Sequence, residues 1–138
     1  MQIEEREIQE YIQEEGKGMS RSRGELKIEA ILKQYNFDYD IEYSFSDLLA
    51  DGSNIPLRFD FVVYDDDGDI DFLIEYQGEQ HYKAFPRFGG VKGLKRQQHN
   101  DAKKKQYCSI HDIPLVVVPY WDYNILNLDY LLPYEGYR

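Results

Sequence analysis

The sequence predicts one α/β domain: a mixed β-sheet with a central hairpin, flanked by helices in the order αα-βββ-α-β-α. Three observations carry this. Residues 57–64 (LRFDFVVY) and 70–77 (IDFLIEYQ) alternate as strands, and the Asp67-Gly68 pair between them is a hairpin signal. Ile28, Ile31, Leu32 and Tyr35 recur at helical spacing before the hairpin. After it, a long helical segment leads to the β-branched run Pro114 to Tyr120 (PLVVVPY), which reads as a buried strand.

The remaining elements follow from the same patterns. Residues 2–15 (QIEEREIQEYIQEE) suggest a helix with Ile8, Tyr11 and Ile12 on one stripe, followed by a breaker region from Gly16 to Gly24. A helix over 24–35 and a strand over 39–46 (YDIEYSFS) precede the hairpin. A loop with Pro86, Gly89 and Gly90 opens a helix from about Gly93 to His111, and a last helical segment runs from Tyr123 to Leu131. A chain of 138 residues fits a single domain over 1–138, with an N-terminal helical arm (1–20), a core (21–121) and a C-terminal helix and tail (122–138).

Composition excludes several classes. A hydrophobic content of 42% with 15% aromatic residues is too rich for disorder, and the longest apolar run, Ile113 to Trp121, is too short to span a membrane. One cysteine, Cys108, rules out an internal disulfide and argues against a thiolate zinc site. No secretory signal is visible, so a reducing cytoplasm is the expected setting. The net charge of −10 is segregated. Between Lys83 and Lys105 eight basic residues face Asp101 alone, so that segment carries +7 and the remainder −17. Such segregation suits a protein that meets a polyanion at one surface, although Lys-rich helices are commonly just solvated faces. Arg87, Lys92, Lys95 and Arg96 are the candidate phosphate contacts.

With Asp67-Gly68 central in the turn, Asp60 stands opposite Glu75 and Arg58 opposite Gln77 on one sheet face, with Phe59, Phe61, Phe72, Ile74 and Tyr76 on the other. Two facing carboxylates repel, and their hard oxygens suit Mg²⁺ or Mn²⁺. A bulge would shift this register and separate them.

Helix, hairpin, an acid on each strand of the pair, E-x-Q and a following helix resemble the core of the PD-(D/E)XK nuclease superfamily over roughly residues 20–120. The resemblance implies a restriction-endonuclease-like core in which Asp60 and Glu75 hold the metal. The third position, usually Lys, is Gln77 here. The string LIEYQGEQHY (Leu73 to Tyr82), with FDF before it, Asp101-x-x-Lys104 after it and a terminal LVVVPY strand, is similar to very-short-patch-repair endonucleases and EDxHD phage homing endonucleases. That branch implies Glu25, Asp60, His81 and Asp101 as its four named residues.

Each of these has a plainer reading. Glu25 lies about 70° from the centre of the apolar stripe, yet acids favour any first helical turn. His81 has the chemistry of a general base, though a His at a strand end is often only a hydrogen-bonded structural residue, and Asp101 could simply pair with Lys104 or Lys105 along its helix. Together the residues imply a Mg²⁺-dependent endonuclease or nickase acting on DNA in a bacterial or phage-infected cell, with Mn²⁺ substituting and Lys104 or Lys105 steadying developing charge. The alternative is a non-catalytic DNA-binding or interaction protein on the same scaffold. Double-strand cutting would favour a homodimer, for which the Ile8/Tyr11/Ile12 stripe could serve unless it packs on its own domain.

Overall fold

The computed structural model describes residue 6 and residues 21–134. The expected first helix and its Ile8/Tyr11/Ile12 stripe lie outside the described residues. The chain then forms α1 (Arg23–Gln34), β1 (Asp38–Leu49), β2 (Pro56–Tyr64), β3 (Ile70–Gln77), α2 (Gly90–Ile110), β4 (Leu115–Pro119) and the single turn α3 (Leu128–Leu131). Four strands make one mixed sheet in the order β1-β2-β3-β4, with β4 parallel to β3 and the other neighbours antiparallel.

Both long helices start and stop where local chemistry tells them to. Ser22 caps α1 by accepting the Glu25 N–H at 3.2 Å, so the expected breaker region ends two residues before Gly24. At the far ends, Asn36 (φ 58°) and Asp112 (φ 55°) turn left-handed, while Phe37 N–H and Ile113 N–H reach back to Leu32 O and Cys108 O. That is the Schellman arrangement, with short polar residues standing in for glycine. The expected helix over Tyr123–Leu131 is instead a 3-10 turn (Tyr120–Ile125) followed by α3. Asn127 breaks it by accepting the Tyr130 N–H at 2.9 Å, the action of an N-cap.

Two apolar layers cover the sheet. On one side Ile28, Ile31 and Leu32 of α1 pack with Phe61, Val63, Phe72 and Ile74, joined by Leu126 and Leu131 from the chain's end. On the other, Leu48, Leu57, Phe59, Val62 and Leu73 enclose Cys108 of α2. Phe59 therefore belongs to the α2 layer rather than sharing a face with Phe61. Strand β2 changes face at Asp60, next to the left-handed Glu42 (φ 54°) of β1.

The hairpin register holds by a different route from the one expected. Gly68 N–H closes a turn on Asp65 O, and Asp65 Oδ1 accepts the N–H groups of both Asp67 and Asp69. Tyr64 then pairs with Ile70, one residue out of step, and a bulge restores Val63 to Phe72 and Phe61 to Ile74. The bulge thus corrects a shifted turn instead of separating Asp60 from Glu75.

Helix α2 is seated at its start by Gly93, where an added Cβ would lie 1.8 Å from the Phe88 carbonyl oxygen. Backbone cannot yield as a side-chain tip can. Gly93→Ala should lower stability by about 1–3 kcal/mol in urea unfolding, whereas Val91→Ala, at an exposed neighbouring position, should change it by about 0.5 kcal/mol or less. Equal effects would show that this contact does not seat the helix.

Candidate active site

The site forms where β2 peels away from β3. Beyond the Phe61–Ile74 pair, β3 remains bound to β4 through Glu75–Val117 and Gln77–Pro119. Carboxylates fill the opened gap. Glu75 Oε1 accepts the Asp60 N–H at 2.8 Å, and Asp60 Oδ2 accepts the Tyr76 N–H at 2.8 Å. The two acids are adjacent as the register required, but each holds the other strand's backbone. Arg58 does not face Gln77; it is exposed, pairs with Ser44 in the ladder and lies 3.8 Å from Glu42.

Helix α2 contributes a second layer from one face. Gln97, Asp101, Lys104 and Cys108 recur at intervals of four, three and four residues, so they share a side. Lys104 Nζ donates to Glu75 Oε2 at 3.0 Å and lies 5.5 Å from the Phe59 ring centre. Asp101 Oδ2 meets His81 Nδ1 at 2.9 Å, and Gln97 Nε2 donates to Asp101 Oδ1 at 3.2 Å. The helical ion pair open to Asp101 is not formed. Lys105 lies exposed, away from this face. His81 is buried in the 3-10 turn (Glu79–His81) that follows β3.

Gln77 and Glu25 complete the arrangement. Gln77 is buried and its Oε1 accepts the Tyr82 hydroxyl at 2.6 Å, which makes Nε2 the donor end of the amide. Glu25 is half-buried, bonded to Ser22 Oγ at 3.0 Å, and close enough for its charge to act on Asp60. Gly24 leaves room for this approach: a Cβ there would stand 2.1 Å from the Tyr76 ring, which would have to shift. Tyr82 and Gln97 carried no sequence signal except, for Gln97, its spacing from Asp101.

Charge is imperfectly balanced. Burial, then the charges of Glu75 and Glu25, push the Asp60 carboxyl up to about 8, against the pull of the Tyr76 N–H and Lys104. Burial raises Glu75 as well, opposed chiefly by Lys104. Cys108, one turn beyond Lys104, is pushed to about 11 by burial and by Glu75, so its thiol stays protonated and unreactive at neutral pH.

A hard divalent cation fits this donor set. The Asp60 carboxyl, short of positive charge beside Glu75, is the kind of hard oxygen such an ion binds, and its remaining positions would be filled by water. Among the described residues no three His, Cys, Asp or Glu side chains gather into a ready cage, so Asp60 and Glu75 would be its protein ligands.

The basic segment divides in two. Lys104 is buried against Glu75, Lys103 binds Asp51 (2.7 Å) and the Leu49 carbonyl, and Lys83 lies 3.5 Å from Glu79. Arg87, Lys92, Lys95 and Arg96 are exposed on the Pro86–Phe88 turn and the start of α2. His99 pairs with Asp51 at 2.6 Å and His111 stacks on Tyr107, so neither enters the site. No helix of the described residues is long and apolar enough to cross a membrane.

Comparison with known proteins gives one relative of note. Uncharacterized protein 307L of Invertebrate iridescent virus 6 is 40% identical over 48 residues, a stretch covering 34% of this chain and 24% of that protein. No family model and no solved structure matches.

The raised Asp60 sets a pH dependence. A folded state that holds this proton more tightly than the unfolded chain gains stability below about pH 4 and loses it as pH rises through about 8. Asp60→Asn keeps an acceptor for the Tyr76 N–H without the charge. At pH 8 it should be the more stable protein by about 1–4 kcal/mol, with the difference shrinking towards pH 4. Melting curves of both proteins across this range test it, and parallel curves would refute the frustrated charge.

Proposed function

We propose that the chain is a divalent-cation-dependent DNA endonuclease or nickase with a restriction-endonuclease-like core, most similar in its site to the EDxHD and very-short-patch-repair enzymes. The observation that carries this reading is the convergence of Asp60, Glu75, Gln77, His81, Asp101 and Lys104 at one end of β3, with Glu25 at its edge. Lys104 also supports it, because it brings from α2 an amine to the acid pair that Gln77 cannot offer.

The residues divide the work. Asp60 and Glu75 would hold Mg²⁺, or Mn²⁺ in its place, and the bound ion would supply Lewis-acid stabilisation of the phosphoryl oxygens. His81, its Nδ1 held by Asp101, takes a proton from the attacking water through Nε2. The water oxygen forms a bond to phosphorus as the bond to the leaving oxygen breaks. Gln77, fixed by Tyr82, donates from its amide to a phosphate oxygen. Lys104 neutralises Glu75, and Arg87, Lys92, Lys95 and Arg96 hold the flanking phosphates.

The Glu75–Lys104 ion pair also favours a second reading, since a carboxylate already neutralised, with no third ligand gathered beside it among the described residues, suits a scaffold that binds DNA without cutting. Plasmid incubated with Mg²⁺ or with EDTA separates the two. Nicking is expected with the metal and not with the chelator, and Asp60→Ala should abolish it. DNA bound but uncut in the presence of Mg²⁺ supports the second reading.

Within the first reading, His81→Ala should lower turnover by roughly 10² to 10⁴ with affinity little changed and the acidic limb of the pH–rate profile lost. Gln77→Ala should cost less; the reverse order would remove His81 as the base. Replacing Lys95 and Arg96 by Gln should flatten the salt dependence of DNA binding by about one unit for each phosphate no longer neutralised. An unchanged slope would leave these residues a solvated face.

A further inference from the structure

Strands β3 and β4 end together at the Gln77–Pro119 pair, and each chain segment leaves that edge through a turn carrying aromatic side chains. Tyr82 follows β3; Tyr120 and Trp121 follow β4. Their ring centres lie 4.7 Å (Tyr82–Trp121), 5.3 Å (Tyr120–Trp121) and 5.9 Å (Tyr82–Tyr120) apart, with planes tilted by 53° to 76°. Rings tilted in this way do not cover one another's faces. Trp121 remains 60% exposed, an unusual position for an indole whose burial would be favourable. The Tyr82 hydroxyl is tied to Gln77 inside the site, so the cluster is joined to the residues proposed to act on phosphate.

We infer that these rings are a stacking platform for the bases of an unpaired DNA stretch, which makes DNA with a single-stranded segment beside the scissile bond the favoured substrate. The inference deepens the nuclease reading and rests on it for the scissile bond alone. Charge selects the occupant. Lys83 Nζ lies 5.8 Å from the Tyr120 ring centre, and the platform borders the +7 segment of a chain whose net charge is −10. Aromatic faces beside cations suit a polyanion that carries flat bases. Paired bases within a duplex offer grooves only their edges, so a ring standing free in water finds a stacking face on unpaired bases.

Trp121 is the chain's single tryptophan, so its emission reports on the platform directly. The probes are a 12-nucleotide oligothymidylate, an abasic oligomer of equal length and a duplex, titrated without added divalent cation. Oligothymidylate should quench Trp121 emission and bind more tightly than the other two. Read by the anisotropy of a labelled oligomer, since these variants lack the tryptophan, Trp121→Ala should lower its affinity by about 5- to 100-fold, and Trp121→Phe should recover most of that loss. Three results would overturn the inference: equal binding of all probes with unchanged emission, an alanine variant that keeps the preference, or a mass that rises with concentration only when Trp121 is present, which would make the platform a contact between copies. Because the titration needs no turnover, quenching by a protein that never cuts DNA counts against the nuclease reading alone. Cleavage without quenching counts against the platform alone.

Discussion

Glu75 places its two carboxylate oxygens on two different elements, one on the Asp60 backbone of β2 and the other on Lys104 of α2, while its own backbone is paired with β4. One buried residue, by side chain and backbone together, therefore ties three strands and a helix at the point where the hairpin opens. Replacing a ladder hydrogen bond by a charged acceptor is favourable only if the charge is neutralised, and Lys104 supplies the cation at the same depth. From this follow the orientation of α2, the facing of Asp101 towards His81, and the opening of β2 that presents Asp60.

Asp60 is the part this arrangement leaves uncompensated. Its carboxylate replaces another backbone bond, but Lys104 is committed to Glu75 and Glu25 adds further negative charge. A site built only for stability would put an apolar or amide side chain there, since buried charge without a partner costs several kcal/mol, roughly 3–5 when a buried pair is broken. This uncompensated charge, concentrated at one strand opening, is the feature on which the proposed cation binding rests.

Much of this was legible in the sequence, for reasons that differ by residue. Alternation over 57–64 and 70–77 locates the hairpin, and Asp60 lies beside Glu75 despite the different turn because the buried faces of Phe61, Val63, Phe72 and Ile74 demand the register that leads up to them. The turn and its bulge merely deliver the strands to it. Phe59 was misplaced because alternation cannot see the change of face at Asp60, which depends on the neighbouring β1. The Tyr82–Gln77 and Gln97–Asp101 bonds were hidden too, since the geometry of each is decided by tertiary packing around it. The final helix failed on a local signal, Asn127, whose capping competes with helix continuation.

The same residues explain how an acidic chain can present a basic surface. Lys104 is buried against Glu75 and Lys103 is held by Asp51 and the Leu49 carbonyl, so their charge is spent on structure and contributes less to the outer field. Arg87, Lys92, Lys95 and Arg96 stand exposed on the Pro86–Phe88 turn and the first turns of α2. With most acids on other elements, repulsion from the rest of the surface and attraction at this end act in the same direction on an approaching polyanion. The segregation seen along the sequence is thereby sharpened in space, because folding neutralises the cations that face inward and leaves the others outside.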